Sequence, residues 1–221
     1  MYGNGRRKTL PEVLTEQELG ALIGQTNRHS PTGARNRAIL LVMGRCGLRV
    51  GEVVALQTKD VGRDALHIWQ GKGAKDRTVP LDPQTRDALD HWLDVRRKQG
   101  IREWVLFTTI TMRARGAANL GDGRVLAAQT RPGRPVSDRY IRQMVKRCGK
   151  RGGLEKDVHP HTLRHTAATT WLRQGFNLRE VQTLLGHSSA VTTEVYTHVF
   201  DEDLQRKQAA LPPLLLTAEA R

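Results

Sequence analysis

The apolar residues of this chain recur with the period of an α-helix over most of its length, and only two short stretches alternate instead. Residues 34–43 place alanine, leucine and valine on one helical face, as an amphipathic helix requires. Residues 66–70 and 77–80 alternate apolar and polar side chains, which is typical of half-buried strands. The glycine-rich residues 71–76 between them can turn the chain. The sequence therefore predicts a mainly α fold that carries one small antiparallel β-sheet.

Residue types that favour helix starts mark several further elements. Thr15, followed three residues later by Glu18, has the pattern of a capping box. Pro83 suits the first turn of a helix, and Ser137 is a favourable N-cap residue. We predict helices over residues 15–25, 34–43, 52–56, 83–98, 137–150, 162–174, 178–185, 190–200 and 201–210.

The chain is long enough for a domain with a core of its own, framed by two short ends. Residues 1–13 are predicted to be a basic linker, residues 14–210 the folded domain and residues 211–221 a C-terminal tail. Within the domain, residues 110–135 hold five arginines against one acid, Asp122. Loops of this length are uncommon in compact domains. This stretch is therefore either a small hairpin or an inserted mobile loop.

The charge of the chain points to a polyanionic partner. Lysine and arginine number 36 and aspartate and glutamate 22, which gives a net charge of +14. Such an excess favours nucleic acid through attraction and counterion release, with an anionic membrane surface or a purely solubilising role as alternatives. The two cysteines, Cys46 and Cys148, are too few for a disulfide framework, and no run of about 18 apolar residues occurs. We expect a cytoplasmic protein without a membrane span.

Four short stretches hold residue types that phosphoryl chemistry needs. They read GLRVGE at residues 47–52, GKGAKDR at 71–77, HTLRHT at 161–166, and LLGHS at 184–188 followed by TEVY at 193–196. In this order and spacing they resemble the first-arginine box, the lysine β-hairpin, the His-x-x-Arg box and the final histidine and tyrosine of tyrosine recombinases. The resemblance runs from about residue 14 to residue 200 and is greatest to the Xer-type and phage-integrase branches.

The resemblance implies the catalytic-domain fold of these DNA breaking-and-rejoining enzymes and a reaction through a covalent 3′-phosphotyrosine. It assigns six catalytic residues: Arg49, Lys72, His161, Arg164, His187 and Tyr196. The implied partner is double-stranded DNA, bound by a homotetramer when two sites are synapsed, while the free protein is a monomer. No metal and no cofactor are implied.

The chemistry of these residue types agrees with the implied roles. A phenol oxygen is a workable attacking and leaving group, which fits the nucleophilic role that the resemblance implies for Tyr196. The guanidinium forks of Arg49 and Arg164 match two non-bridging phosphate oxygens. His161 can accept or share the tyrosine proton, and His187 can hydrogen-bond a phosphate oxygen.

Neighbouring residues leave alternatives open. Lys72 matches the family position of the general acid that protonates the departing 5′ oxygen, with Lys75 as its rival. His165 follows His161 by four residues, and such a pair can hold zinc on one helix face. No third ligand is evident, so we expect His165 to brace the site. Glu52 is expected to orient the first arginine or to cap its helix.

A basic stripe on the predicted helix over residues 137–150 is a candidate phosphate-facing surface, with a merely solvated face as the alternative. Its members are Arg139, Arg142, Lys146 and Lys150.

Two other functions compete with the recombinase. A type IB topoisomerase uses a similar residue set but makes no strand exchange, and the LLGH wording at residues 184–187 favours the recombinase. A non-catalytic DNA-binding or architectural protein would not need the six residues together.

Both ends of the chain raise a question about assembly. Residues 1–13 are too short for the N-terminal helical domain that family members usually carry, so we expect either an excised catalytic domain or a minimal protein. The tail holds three leucines at residues 214–216, which are costly to leave in water. They dock either on their own domain or, as the resemblance implies, on a neighbouring protomer.

Overall fold

A computed structural model describes residues 12–69, 76–110 and 133–186. Within these ranges the chain forms α-helices and one two-stranded sheet, with a 3-10 turn at Thr58–Asp60. The elements are α1 (Glu16–Gly24), α2 (Pro31–Arg45), α3 (Val50–Ala55), β1 (Ala65–Ile68), β2 (Arg77–Pro80), α4 (Pro83–Lys98), α5 (Asp138–Arg151), α6 (Pro160–Arg173) and α7 (Leu178–Leu185). The predicted fold class, mainly α with one small antiparallel sheet, is confirmed.

Side-chain caps begin most of these helices. Thr15 accepts a hydrogen bond from the Glu18 backbone N–H, and the Glu18 carboxylate accepts one from the Thr15 N–H, which completes the predicted capping box. A cap of this kind typically contributes about 1 kcal/mol. Four further helices are capped by side-chain oxygens, those of Ser30, Asp82, Ser137 and Asn177.

Three helices begin earlier than the sequence predicted. α2 starts at Pro31 rather than at residue 34, α3 at Val50 rather than at 52, and α6 at Pro160 rather than at 162. The earlier start of α6 is stabilised by His159, whose ring nitrogen Nδ1 accepts a hydrogen bond from the Thr162 N–H. Histidine is not among the usual cap residues, so the local pattern gave no signal for this start.

α2 lies at the centre of the hydrophobic core. Its residues 38–43 are all fully buried, and a helix that is apolar on every side lies inside a domain. α4 and α6 pack along it, and α1 and α3 also contact it. Trp92 of α4 and Leu163 of α6 are fully buried in the same core. α2 therefore fixes the positions of α3 and α6.

β1 and β2 pair antiparallel, with Leu66 opposite Val79 and Ile68 opposite Arg77. Leu66, Ile68 and Val79 are buried as the alternation predicts, while Trp69 is 64% exposed. β1 ends at Ile68, two residues short of the predicted limit. The predicted turn lies outside the described residues apart from its last position, residue 76.

Some predicted features lie outside the described residues and stay predictions. These are the helices over residues 190–200 and 201–210, the hairpin or loop around residues 121–123, most of the basic linker, and the C-terminal tail. The domain boundaries also stay predictions. No helix in the three described ranges is both long and apolar enough to cross a bilayer.

Candidate active site

A cavity of about 330 Å³ opens between α3, α5 and α6. The start of α3 lines it with Arg49, α5 contributes Arg142, and α6 contributes His161 and Arg164. Three of the six predicted catalytic residues therefore meet at one cavity. The other three, Lys72, His187 and Tyr196, lie outside the described residues.

Arg49 stands at the N-cap of α3 with its side chain 40% exposed. Its backbone N–H donates a hydrogen bond to Glu52 Oε2 at 2.7 Å, and its guanidinium Nη1 donates to Oε1 at 3.0 Å. One carboxylate thus caps the helix and orients the guanidinium. Both roles that the sequence offered for Glu52 are found together.

Arg164 is buried, and backbone carbonyls receive its guanidinium. Nη1 donates to the Gly47 carbonyl at 2.6 Å and Nη2 to the Leu185 carbonyl at 2.7 Å. Gly47 has a φ of +65°, and a Cβ atom there would lie 3.0 Å from Leu185 and 3.1 Å from Trp171. Glycine is therefore required at position 47 to present its carbonyl to Arg164.

Glu52 is the carboxylate that the arginines share. Arg77 Nη1 and Nη2 donate to its two oxygens at 2.9 and 2.8 Å, a bidentate pair, and Arg164 Nη1 lies 4.0 Å from Oε2. Burial raises the pKa of Glu52, but hydrogen bonds from Arg77 and from the Arg49 N–H outweigh it and hold that pKa below its ordinary value. The carboxylate is therefore charged at neutral pH and offsets part of the surrounding positive charge.

Sequence reasoning missed Arg77 as a residue of this network. Arg77 is buried, and its Nε also donates to the Leu184 carbonyl at 2.7 Å. A signal was present, because Arg77 lies on the same side of β2 as the fully buried Val79. A charged side chain on the buried face of a strand needs a partner that compensates its lost hydration.

The two histidines of α6 are held in the neutral form. Burial lowers the pKa of His161, and electrostatic interactions with His159 and three nearby arginines lower it further. Burial and then His161 lower the pKa of His165 to about 4. Both rings are therefore mainly neutral at pH 7, and a neutral imidazole at the cavity wall can accept a proton.

The described residues offer no competing metal centre or thiol nucleophile. No group of three or more His, Cys, Asp or Glu side chains placed to hold a metal occurs among them, so the zinc alternative gains no further ligand. Cys46 and Cys148 are buried free thiols, and burial raises the pKa of each. Thiols of this kind are unreactive.

α5 places part of its basic stripe beside the cavity. Arg142 lines the cavity and is paired with Asp138 one turn earlier. Lys146 lies 3.3 Å from Asp157. Arg142 was not among the six predicted catalytic residues, although its helix face was a predicted phosphate-facing surface. Its place at the cavity depends on the packing of α5 against α3 and α6, which a local pattern does not determine.

Known proteins match this chain over most of its length. The model described as the phage integrase family matches residues 12–203. The tyrosine recombinase XerD of Xanthomonas campestris pv. campestris is 36% identical over 208 residues, covering 93% of this chain and 61% of that protein. The chain spans about three fifths of the length of the curated relatives that it matches.

Solved structures show the same fold. The crystal structure of XerA recombinase aligns with a TM-score of 0.71 and 31% identity, covering 92% of this chain and 67% of that one. The structure of XerH recombinase bound to palindromic difH substrate, a post-cleavage complex, aligns with a TM-score of 0.68 and 26% identity, covering 94% and 55%. The predicted tyrosine recombinase catalytic-domain fold is confirmed. The residues gathered at the cavity, the extent of the family match and these alignments agree, and the chain belongs to the phage integrase family of tyrosine recombinases.

Proposed function

We propose that this chain is the catalytic domain of a site-specific DNA recombinase that cleaves and rejoins strands through a covalent 3′-phosphotyrosine. The observation that carries the proposal is the convergence of Arg49, Arg164 and His161 on one open cavity. The family match over residues 12–203 supports a catalytic domain over residues 14–210. XerH, a relative of this fold, has been captured on its difH substrate after cleavage.

The two arginines supply the phosphate-binding part of the site. Arg49 and Arg164 line the same cavity, where their guanidinium groups would hold the two non-bridging oxygens of the scissile phosphate. Charge on those oxygens grows in the transition state, and fixed donors stabilise it without reorganisation. Arg164 is already held by two carbonyls, so its position is set before DNA arrives.

Tyr196 would attack the phosphorus atom and form a 3′-phosphotyrosine. The hydroxyl proton would pass to His161, whose lowered pKa leaves the ring free to accept it. His187 would hydrogen-bond a phosphate oxygen. The ester conserves the energy of the broken bond, so a 5′ hydroxyl can later attack it and release the tyrosine.

Lys72 would donate a proton to the 5′ oxygen as its bond to phosphorus breaks. An alkoxide is a poor leaving group, and a positioned acid contributes about 10²–10⁴ in rate. Lys75 remains the rival for this role.

The acid is identified with a 5′-bridging phosphorothiolate, which leaves without a proton. Lys72→Ala should slow cleavage of the ordinary substrate and regain much of the rate on the phosphorothiolate. If the phosphorothiolate rescues Lys75→Ala instead, Lys75 is the general acid. If Lys72→Ala loses the same rate on both substrates, Lys72 is not the general acid.

The proposed partner is double-stranded DNA, in keeping with the net charge of +14 and with the DNA-bound XerH structure. We also propose a cytoplasmic protein that is a monomer when free and a homotetramer on two synapsed sites.

Deleting residues 212–221 tests where the C-terminal tail docks. Docking on a neighbouring protomer predicts normal melting temperature and single-site binding but lost tetramer and strand exchange, whereas a large fall in the melting temperature of the monomer would indicate docking on its own domain.

The main test is covalent trapping on nicked duplexes with a randomised sequence around the nick, scored on a denaturing gel. The wild-type chain should form an adduct, and Tyr196→Phe should bind DNA without forming one. Tyr140→Phe is the matched control, since Tyr140 OH donates to Asn36 and accepts from Arg35 away from the cavity. Adduct formation by Tyr196→Phe would show that the nucleophile is misassigned.

Further results separate the proposed function from its rivals. Binding without any adduct would indicate a non-catalytic DNA-binding protein. Relaxation of supercoiled DNA with no strand transfer between two duplexes would indicate a type IB topoisomerase.

A further inference from the structure

The C-terminal end of α7 is held by two arginines from elsewhere in the chain. The last four carbonyl groups of a helix have no partner within it. Two of those in α7 accept hydrogen bonds from buried guanidinium groups, Leu184 from Arg77 Nε and Leu185 from Arg164 Nη2, each at 2.7 Å. Gly186, with a φ of +65°, ends the helix, and the next residue of the sequence is His187.

Arg77 joins three parts of the fold through one side chain. It is the first residue of β2. Its Nη1 and Nη2 donate hydrogen bonds to the Glu52 carboxylate of α3, and its Nε donates to the Leu184 carbonyl at the end of α7. All three guanidinium nitrogens are therefore engaged, and the side chain is only 3% exposed. A planar fork of this kind tolerates little displacement of its partners.

Arg77 is connected to the proposed active site through its ion-pair partner, Glu52. Glu52 is the carboxylate that also caps and orients Arg49. Arg164, the other arginine at the end of α7, lines the cavity together with Arg49. Arg164 therefore contacts the end of α7 directly, and Arg77 links the same end to Arg49 through Glu52.

We propose that Arg77 is a positioning residue that holds the end of α7, and thus the point from which the chain runs on to His187 and Tyr196, at a fixed distance from Arg49 and Arg164. The inference rests on the proposed recombinase function for its catalytic consequence, while the anchoring of α7 stands independently of it. Misplacement of reacting groups by about 1 Å can cost 10²-fold in rate.

Arg96 provides a matched control. It is another buried arginine that donates to several backbone carbonyls, those of Glu103, Val105 and Leu106. None of these carbonyls belongs to the cavity. Replacement of Arg96 therefore reports the general cost of removing a buried, carbonyl-bound guanidinium.

The first experiment is hydrogen exchange in the free protein, which needs no DNA. Arg77→Lys keeps a cation for Glu52 but cannot reach the carboxylate and the Leu184 carbonyl together, so amide exchange in peptides covering residues 181–186 should rise at least about tenfold. Arg77→Met should raise it further if it folds. Arg96→Lys should leave these peptides unchanged. Unaltered protection in folded Arg77→Lys would overturn the anchoring of α7.

The second experiment is single-turnover adduct formation on a nicked duplex that the wild-type chain cleaves, at saturating protein. Arg77→Lys should lower the rate about 10–100-fold with little change in DNA affinity, and Arg96→Lys should keep the wild-type rate. Faster exchange in α7 with an unchanged rate would overturn the positioning role. If the wild-type chain forms no adduct, the proposed function fails, while the exchange result still decides whether Arg77 anchors α7.

Discussion

Four arginines are buried among the described residues, and they form two pairs with different surroundings. Arg35 and Arg96 lie against the segment that follows α4, where Arg35 donates to the Thr108 carbonyl and Arg96 to three others. We call them the scaffold arginines. Burial lowers the pKa of each, and neither lines the cavity. Their hydrogen bonds hold chain segments together.

The other two, Arg77 and Arg164, also bind carbonyls but lie around Glu52. We call them the site arginines. Their carboxylate neighbour also orients Arg49, which is partly exposed at the cavity. The contrast shows that burial of an arginine does not by itself mark a functional site. What distinguishes the site arginines is that they surround one carboxylate, Glu52, which itself lines the cavity.

The largest expected effect is a loss of stability when Glu52, the carboxylate shared by the site arginines, is removed. Glu52→Ala removes the ion-pair partner of Arg77 and the carboxylate that accepts a hydrogen bond from the Arg49 N–H at the start of α3. Breaking a buried ion pair on one side typically costs about 3–5 kcal/mol, because the remaining charge stays buried. We expect a loss of this size in the free energy of unfolding, measured in urea.

Asp94→Ala is the control for Glu52→Ala. Its ion pair with Arg97 is well exposed on both sides, and such pairs contribute less than about 1 kcal/mol. Equal losses from the two variants would mean that Glu52 does not hold the site arginines together.

The next effect concerns rate rather than stability. Arg164→Lys keeps the charge but loses the planar fork, so we expect the rate of adduct formation to fall about 10²–10³-fold, as when one preorganised donor is removed. Single-turnover trapping on a cleavable nicked duplex measures it.

Arg96→Lys is expected to lower stability without lowering the rate of adduct formation. It should lower the unfolding free energy by about 1.5–3 kcal/mol for each charged hydrogen bond lost and leave the rate of the folded protein unchanged. A similar loss of rate in both variants would remove the distinction between scaffold and site arginines.

The sequence predicted elements that depend on local pattern. α7 and β2 have the predicted bounds, and α4 begins at Pro83 as expected. The family resemblance brought Arg49, His161 and Arg164 together, and the structure places them at one cavity.

Contacts between distant parts of the chain were not predictable in this way. Arg77 meets Leu184 across 107 positions and Arg164 meets Gly47 across 117. Which carbonyl faces which guanidinium depends on how α3, α6 and α7 pack, and no periodicity records that. The start of α6 was missed for a different reason, since a histidine cap lacks the usual signal.

A third prediction concerns acid stability. The folded state holds His165 at a pKa of about 4, below its ordinary value of 6.5. The unfolded chain therefore binds more protons between these values, and stability is lost as the pH falls from about 6.5 through about 4. The lowered pKa of Glu52 adds a loss of the same sign below its ordinary value of 4.5.

His165→Gln should flatten the upper part of this decline, between pH 6.5 and about 4.5. Urea unfolding across that range measures it. His29→Gln is the control, because His29 is exposed on the loop before α2. An unchanged slope in His165→Gln would show that His165 does not contribute to the decline and would leave it to His161, whose pKa is also lowered.

The smallest effect tests whether the positive surface around the site arginines continues along α5. Arg142 lines the cavity, and Lys146 lies one turn further on the same helix. If each contacts a DNA phosphate, each releases counterions on binding, and log K falls with log salt with a slope of about −0.9 per contact. Arg142→Gln and Lys146→Gln should each flatten that slope by about 0.9, and the double variant by about 1.8.

Arg97→Gln is the matched control, because Arg97 is a well-exposed arginine on α4 and is also paired with a carboxylate. Arg97 does not line the cavity, so we expect it to contact no phosphate and its replacement to leave the slope unchanged. A smaller slope for Arg142→Gln alone would confine the DNA contact to the cavity and leave Lys146 with Asp157, its neighbour at 3.3 Å. Unchanged slopes for both α5 variants would indicate that Arg142 and Lys146 belong to a solvated face and contact no DNA phosphate.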